Sequence, residues 1–180
     1  GLDPARLGVV GHSLGGYAAL RTTAADAAVK AVASVAAFDF GGAVRSGSGA
    51  FYIANGNYPH GGTGYIYFGV NNSVSGQEYQ TVSIPTTASG TLTFWLNVTS
   101  SETTTTTVYD RLFVEVRSTS GTLLATLATY SNLNKAGAGV YTLRSLNMAA
   151  YRGQTVRLQF RTTTDSSLVT TFRVDDVALN

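Results

Sequence analysis

Thr91-Leu92-Thr93-Phe94-Trp95-Leu96-Asn97-Val98 sets an apolar side chain at every second position. Leu92, Phe94, Leu96 and Val98 alternate with Thr91, Thr93, Trp95 and Asn97, the pattern of a strand with one buried and one wetter face. The same period returns at Leu112, Val114 and Val116, set against Phe113, Glu115 and Arg117. It returns again at Val156, Leu158 and Phe160, set against Arg157, Gln159 and Arg161. Further strands are expected near 50–54, 64–70, 77–84, 122–128, 139–147 and 168–179, punctuated by Gly, Asn, Pro and Ser clusters. Half-buried strands of this kind close into two packed sheets. The expected fold is therefore mainly β, an antiparallel two-sheet β-sandwich, jelly-roll-like, with about nine strands over residues 50–180.

The front of the chain has a different pattern. Arg6-Leu7-Gly8-Val9-Val10 is a short apolar run, residues 14–28 are rich in Ala and Leu, and Val29 to Phe38 is apolar again. Leu14, Tyr17, Ala18 and Leu20 fall near helical spacing, so residues 1–40 predict strand, helix and strand, a partial α/β unit. Residues 41–49, Gly-Gly-Ala-Val-Arg-Ser-Gly-Ser-Gly, lack core-forming side chains and are expected to be a linker. The Thr-rich stretch 99–107 is expected to be a solvated loop.

Composition narrows the function. The chain has 180 residues, 44% of them hydrophobic, enough for one domain or a domain with an appendage. Its net charge of +2 comes without any basic run, which argues against nucleic-acid binding. The absence of cysteine excludes disulfides, thiolate zinc sites and a cysteine nucleophile. No apolar run has the length of a membrane span, and no signal peptide is present. The chain opens at Gly1 without a Met and is expected to be a piece of a longer protein, any export signal having been lost with the rest.

Gly11-His12-Ser13-Leu14-Gly15 is a G-x-S-x-G pentapeptide between an expected strand and an expected helix. In such an elbow Ser13 is the nucleophile and the Leu14 N–H is an oxyanion donor. The triad order is serine, acid, histidine, and His60 is the only histidine after Ser13. Of the acids between them, Asp26 falls at the expected helix end, while Asp39 follows the second strand and is better placed. A parallel sheet needs several βαβ units, and residues 1–40 offer barely one. The expectation is a truncated elbow, inactive in this chain; the alternative is a serine hydrolase using Ser13, His60 and Asp39. The string at 3–20 resembles α/β-hydrolases of the prolyl-oligopeptidase and dienelactone-hydrolase type, and the similarity runs through residues 29–34 and stops near Phe40. That resemblance implies the same roles for Ser13 and Leu14.

Residues 51–180 resemble the C-terminal β-sandwich modules of secreted bacterial peptidases and other exported hydrolases. The resemblance rests on Tyr58-Pro59-His60-Gly61-Gly62, on Leu92 to Leu96, on Tyr109 to Val114 and on Phe172 to Leu179, with Gly153 to Leu158 in support. It implies a non-catalytic accessory module, extracellular, attached to the catalytic domain of a longer parent and related to carbohydrate-binding jelly rolls. Its expected work is to bind a polysaccharide or cell-surface polymer, or to stabilise its parent; a purely structural module without a ligand is a further alternative.

Phe172 and Val174 share one strand face, and Val177 and Leu179 share a face displaced by one residue, so a β-bulge is expected at Asp175-Asp176. Two adjacent carboxylates there need neutralising, and a hard cation with oxygen ligands would do it. The jelly-roll resemblance implies a structural Ca²⁺ near the last strand, with Asp110, Glu102 and Asp165 as candidate co-ligands of Asp175 and Asp176. Alternatively, backbone amides or Arg111 and Arg173 satisfy these acids. Trp95 points away from the core face, and with Tyr65, Tyr67 and Phe113 it is a candidate platform for sugar rings; alternatively it packs under a loop. His60, between Pro59 and Gly61, reads as a turn residue.

Overall fold

A computed structural model describes residues 8–12, 31–37, 43–53 and 55–180. The alternation in the sequence becomes burial. Leu92, Phe94, Leu96 and Val98 are buried together with Leu112, Val114, Val116, Val156, Leu158 and Phe160, while their alternates lie on the outer faces of the sheets, where Asn97, Glu115 and Gln159 are covered as well. Residues 50–180 contain nine strands: β4 (Ala50–Ile53), β5 (Tyr65–Gly69), β6 (Ser75–Ser83), β7 (Thr91–Ser100), β8 (Arg111–Arg117), β9 (Leu123–Ser131), β10 (Thr142–Asn147), β11 (Thr155–Thr163) and β12 (Thr170–Leu179). Before them come β1 (Gly8–His12), β2 (Ala31–Ala37) and β3 (Val44–Gly47).

Two antiparallel sheets result. One runs β10–β7–β12–β5–β4, the other β3–β6–β11–β8–β9. Their inner faces meet at Phe160, whose ring stands edge-on to Phe94 at 5.3 Å and lies 6.3 Å from Phe68. Aromatic contacts of this geometry add to the burial term that holds the layers together.

Two features depart from a bare sandwich. Within the span expected as a linker, Val44–Gly47 is an edge strand paired with β6, Val44 opposite Tyr79 and Gly47 opposite Gly76. All four of its residues are exposed, so no apolar alternation marks it in the sequence. Gly47 is needed there: its φ is +85°, and a Cβ would stand 2.4 Å from the Ser75 carbonyl oxygen. The second feature is at the far end of β12. There Ala178 and Leu179 pair with Ala37 and Ala36 of β2, which carries β1 beside it in parallel. Parallel neighbours need a crossover connection; residues 13–30, where the helix is expected, lie outside the described residues.

On the outer face of the second sheet, charged and aromatic side chains pair with one another around Glu115. The Glu115 carboxylate is buried and accepts from Arg117 (Nε 2.8 Å, Nη2 2.7 Å) and Arg161 (Nη2 2.7 Å, Nε 3.1 Å). Arg161 also lies over Phe113 at 4.1 Å, and Arg157 over Tyr79 at 4.5 Å.

Burial alone would raise the Glu115 carboxyl, but the hydrogen bonds and charges of Arg161 and Arg117 outweigh it and hold it below its ordinary value. A carboxylate depressed in the native state contributes stability that is present above its unfolded pKa and lost as pH falls through the native one. The urea midpoint of the wild type will therefore drop more steeply between about pH 6 and about pH 3 than that of Glu115→Gln. Parallel acid limbs for the two proteins would refute the assignment.

Candidate functional site

The site begins at the bulge in β12. Asp175 pairs with Trp95 and Ala178 with Thr93, so three steps on β12 span two on β7. The extra residue lets Phe172, Val174, Val177 and Leu179 all be buried, as the displaced apolar pairs predict. Asp176 absorbs the distortion with φ +47°, a left-handed conformation that Asp tolerates better than most residues.

The two carboxylates of the bulge hold the β4–β5 loop. Asp175 is 3% exposed, and its Oδ2 accepts from the backbone N–H of His60 (2.8 Å) and Gly61 (3.2 Å) while its Oδ1 accepts from that of Asp176 (2.8 Å). Burial pushes the Asp175 carboxyl up, and the three N–H donors only partly counter it. Asp176 Oδ2 lies 2.7 Å from His60 Nδ1. The His60 ring is stacked on Trp95 at 3.9 Å and 17° and meets the Tyr141 ring nearly edge-on at 5.4 Å. A Cβ at Gly61 would come within 2.6 Å of the Asp176 carboxylate, which would have to turn away from its present position. The Tyr141 hydroxyl donates to the Tyr58 carbonyl, and the Tyr65 hydroxyl to that of Asn57, both at 2.9 Å.

The loop so anchored forms one wall of a groove of about 420 Å³ on the outer face of the first sheet. Tyr58, Asn55 and Asn57 come from the loop; Tyr65, Tyr67 and Arg173 come from the sheet. Tyr67 stacks on Phe51 at 5.2 Å and 23°. Arg173 sits between Tyr67 on β5 and Asn97 on β7, and its Nη1 donates to Asn97 Oδ1 and Thr99 Oγ1, each at 3.2 Å. Two residues of this rim, Tyr58 and Val70, hold positive φ (64° and 74°), a conformation disfavoured for β-branched Val in particular.

The four expected platform aromatics therefore separate. Tyr65 and Tyr67 share the groove, and Trp95 lies on the same sheet face beneath His60. Phe113 belongs to the opposite sheet, under Arg161, and is not part of the groove; alternation assigns a side chain to a face but not to a sheet. The loop residues Asn55, Asn57 and Tyr58 and the strand residue Arg173 complete the site; Tyr58 and Arg173 fall in stretches that carry the module resemblance but lie outside the expected platform, and no motif marks Asn55 and Asn57.

The five expected metal ligands separate as well. Glu102, Asp110 and Asp165 converge, with one carboxylate oxygen of each within 4.8 Å of the others. Asp175 and Asp176 are not among them and are satisfied by the loop as described. Asn132 builds the loop that presents Asp110: its Oδ1 accepts from the N–H groups of Tyr109 (2.9 Å) and Asp110 (3.3 Å), and its Nδ2 donates to the Thr107 carbonyl (3.0 Å). Asp110 accepts from the Asp165 N–H (2.9 Å) and from the Thr170 hydroxyl. The Glu102 Oε1 is buried without a partner among the described residues. Burial, then the charges of Asp165 and Asp110, push the Glu102 carboxyl up, and Lys135 pulls it down. An all-oxygen donor set with an orphaned carboxylate oxygen fits a hard metal ion.

Ser13, Leu14 and Asp39 lie outside the described residues. The partner of His60 among the described residues is Asp176.

No protein-family model matches the chain, and no curated protein matches it. Solved structures do. The carbohydrate-binding module TmCBM61 in complex with β-1,4-galactotriose aligns with a TM-score of 0.54 at 14% identity, covering 79% of this chain and 90% of that one. A chain from the carbohydrate-binding modules of the β-sandwich superfamily aligns at 0.53 and 10% identity, covering 79% and 58%. The K1 cleaved adhesin domain of Lys-gingipain from Porphyromonas gingivalis W83 aligns at 0.50 and 14%, covering 76% and 98%. At these identities the likeness is one of fold, the two-sheet β-sandwich.

If the Asp175 carboxylate anchors the groove wall, Asp175→Ala will raise amide exchange at His60 and Gly61 by about tenfold or more, while β11 amides stay protected. Unchanged protection at His60 and Gly61 would show that the loop is held by other contacts.

Proposed function

We propose that this chain is a non-catalytic carbohydrate-binding module, the accessory β-sandwich of a secreted bacterial hydrolase whose catalytic domain lies elsewhere in a longer parent. The observation that carries this reading is the groove on the outer face of the first sheet. Concave sites that recognise small polar ligands combine aromatic faces with a few fixed hydrogen-bonding groups. Tyr67, backed by Phe51, offers a ring face, while Asn55, Asn57 and Arg173 offer donors and acceptors around it. The contrast with the second sheet supports the choice, since Phe113 and Tyr79 there are covered by arginines. TmCBM61, which shares the fold, was solved with an oligosaccharide.

The polymer contacted would be a polysaccharide or another cell-surface glycan. Titration calorimetry with β-1,4-galactotriose and electrophoresis through polysaccharide gels test this directly. Tyr67→Ala should weaken binding by about tenfold or more, and Phe113→Ala should leave it unchanged. Failure of every glycan to bind or retard the protein, or an unaltered affinity in Tyr67→Ala, would reject the reading.

The acidic trio supports a structural role for calcium in the same module. Glu102, Asp110 and Asp165 would hold the ion; it would neutralise their charge and tie the loop before β8 to the loop before β12. Lys135, which donates to the Glu102 carbonyl, supplies one positive charge against three carboxylates, and a divalent ion would complete the balance. Calcium should raise the melting temperature by about 5 °C over a chelator-treated sample, and Asp110→Asn should abolish the increment. Equal melting with calcium and with chelator would remove the ion from the account.

A serine-hydrolase reading draws on the His60–Asp176 pair, a geometry shared with catalytic dyads. The pair is already accounted for as a loop anchor, with the His60 ring flat on Trp95. Labelling by a fluorophosphonate probe that disappears in Ser13→Ala would favour the enzyme.

A further inference from the structure

Arg173 differs from Arg117 and Arg161 of the opposite sheet, which share the Glu115 carboxylate. Arg157, like Arg173, has a buried Nε without an acceptor among the described residues, but its guanidinium is seated 4.5 Å over the Tyr79 ring. Arg173 is half-buried on the floor of the groove, and among the described residues no carboxylate reaches ion-pairing distance of its guanidinium. Its Nη1 is occupied by the neutral acceptors Asn97 and Thr99. Its Nε is buried and has no acceptor among the described residues. The Tyr65 ring is 6.0 Å away, at the outer limit of a cation–π contact.

The acids nearest to it are engaged elsewhere. Asp175 shares the strand face two residues on, about 7 Å along the strand, but its oxygens are taken by three backbone N–H groups. Asp176 is paired with His60. The other titratable groups facing the guanidinium are the phenols of Tyr58, Tyr65, Tyr67 and Tyr141. A partly desolvated guanidinium without a counter-ion calls for an anion from the ligand.

We infer that the groove takes an acidic glycan, with Arg173 receiving the carboxylate of a hexuronate ring stacked on Tyr67. The inference rests on the carbohydrate-binding reading and specifies its ligand class. Arg173 and Tyr67 are direct cross-strand partners on the outer face. Such neighbours have Cβ atoms about 5 Å apart. That spacing sets a cation beside an aromatic face at the scale of one sugar ring, whose carboxylate projects from the ring edge. Arg173 thus selects the ligand, and Tyr67 supplies affinity that any pyranose can use.

The test compares three probes on the intact chain by calorimetry: a galacturonate trimer, its methyl ester and β-1,4-galactotriose. The acid should bind about tenfold or more tighter than its ester, because a charge-assisted hydrogen bond is replaced by a neutral one. Added salt should erode that margin. Arg173→Gln should remove the preference for the acid, bringing its affinity level with that of the ester. Equal affinity of the wild type for acid and ester overturns the inference without any variant, and if galactotriose binds as well the carbohydrate reading survives. An Arg173→Gln protein that weakens all three probes alike also overturns it. Binding of none of the three overturns the inference, and the polysaccharide gels then decide the carbohydrate reading separately.

Discussion

The Asp175 carboxylate, buried beneath the β4–β5 loop, is the contact on which the groove wall depends. One extra residue in β12 puts it there. Before the bulge, β12 pairs with β5 through Val174; beyond it, the same edge pairs with β2 at Ala178 and Leu179. Between these two partners the β4–β5 loop crosses, and Asp175 accepts from its backbone at His60 and Gly61. Asp176 then takes the His60 ring, which rests on Trp95. A sheet without the bulge would either expose Val177 and Leu179 or lose the seat for the loop.

From that seat the two faces of the sandwich acquire different characters. The second sheet spends its aromatic and charged side chains on one another, and Glu115 between Arg117 and Arg161 is the clearest case. The first sheet leaves Tyr67 and Arg173 side by side in an open groove whose wall is the anchored loop. The same strand chemistry yields one face whose arginines rest on a carboxylate or a ring and another with a groove beside Arg173, and the difference lies in which cross-strand partners each arginine meets.

Much of this fold was legible because the strands are half-buried, so a period of two marks both their existence and their inward face. The displaced pair Val177 and Leu179 revealed the bulge for the same reason. Edge strand Val44–Gly47 was not legible: it buries nothing, and its Gly and Ser composition matches that of a linker. Site membership was less legible still. Phe113 and Trp95 have the same signature, an aromatic on the polar side of a strand, and only sheet order places them on opposite faces of the molecule. The five acids offered no clue to their division into an acidic trio and a loop anchor. His60 meets Asp175 and Asp176 across separations of 115 and 116 residues, a pairing no local motif encodes.

The central claim is that ligand binding occupies the outer face of the β10–β7–β12–β5–β4 sheet, beside the loop that Asp175 holds. An amide chemical-shift map of the isotope-labelled chain, titrated with a glycan that binds, addresses it most directly. Perturbations should concentrate at residues 55–61, at Tyr65 and Tyr67 and at Thr171 to Arg173, with the outer face of β8 and β11 silent. A map centred on Phe113 and Arg161, or on the acidic trio, would contradict the account.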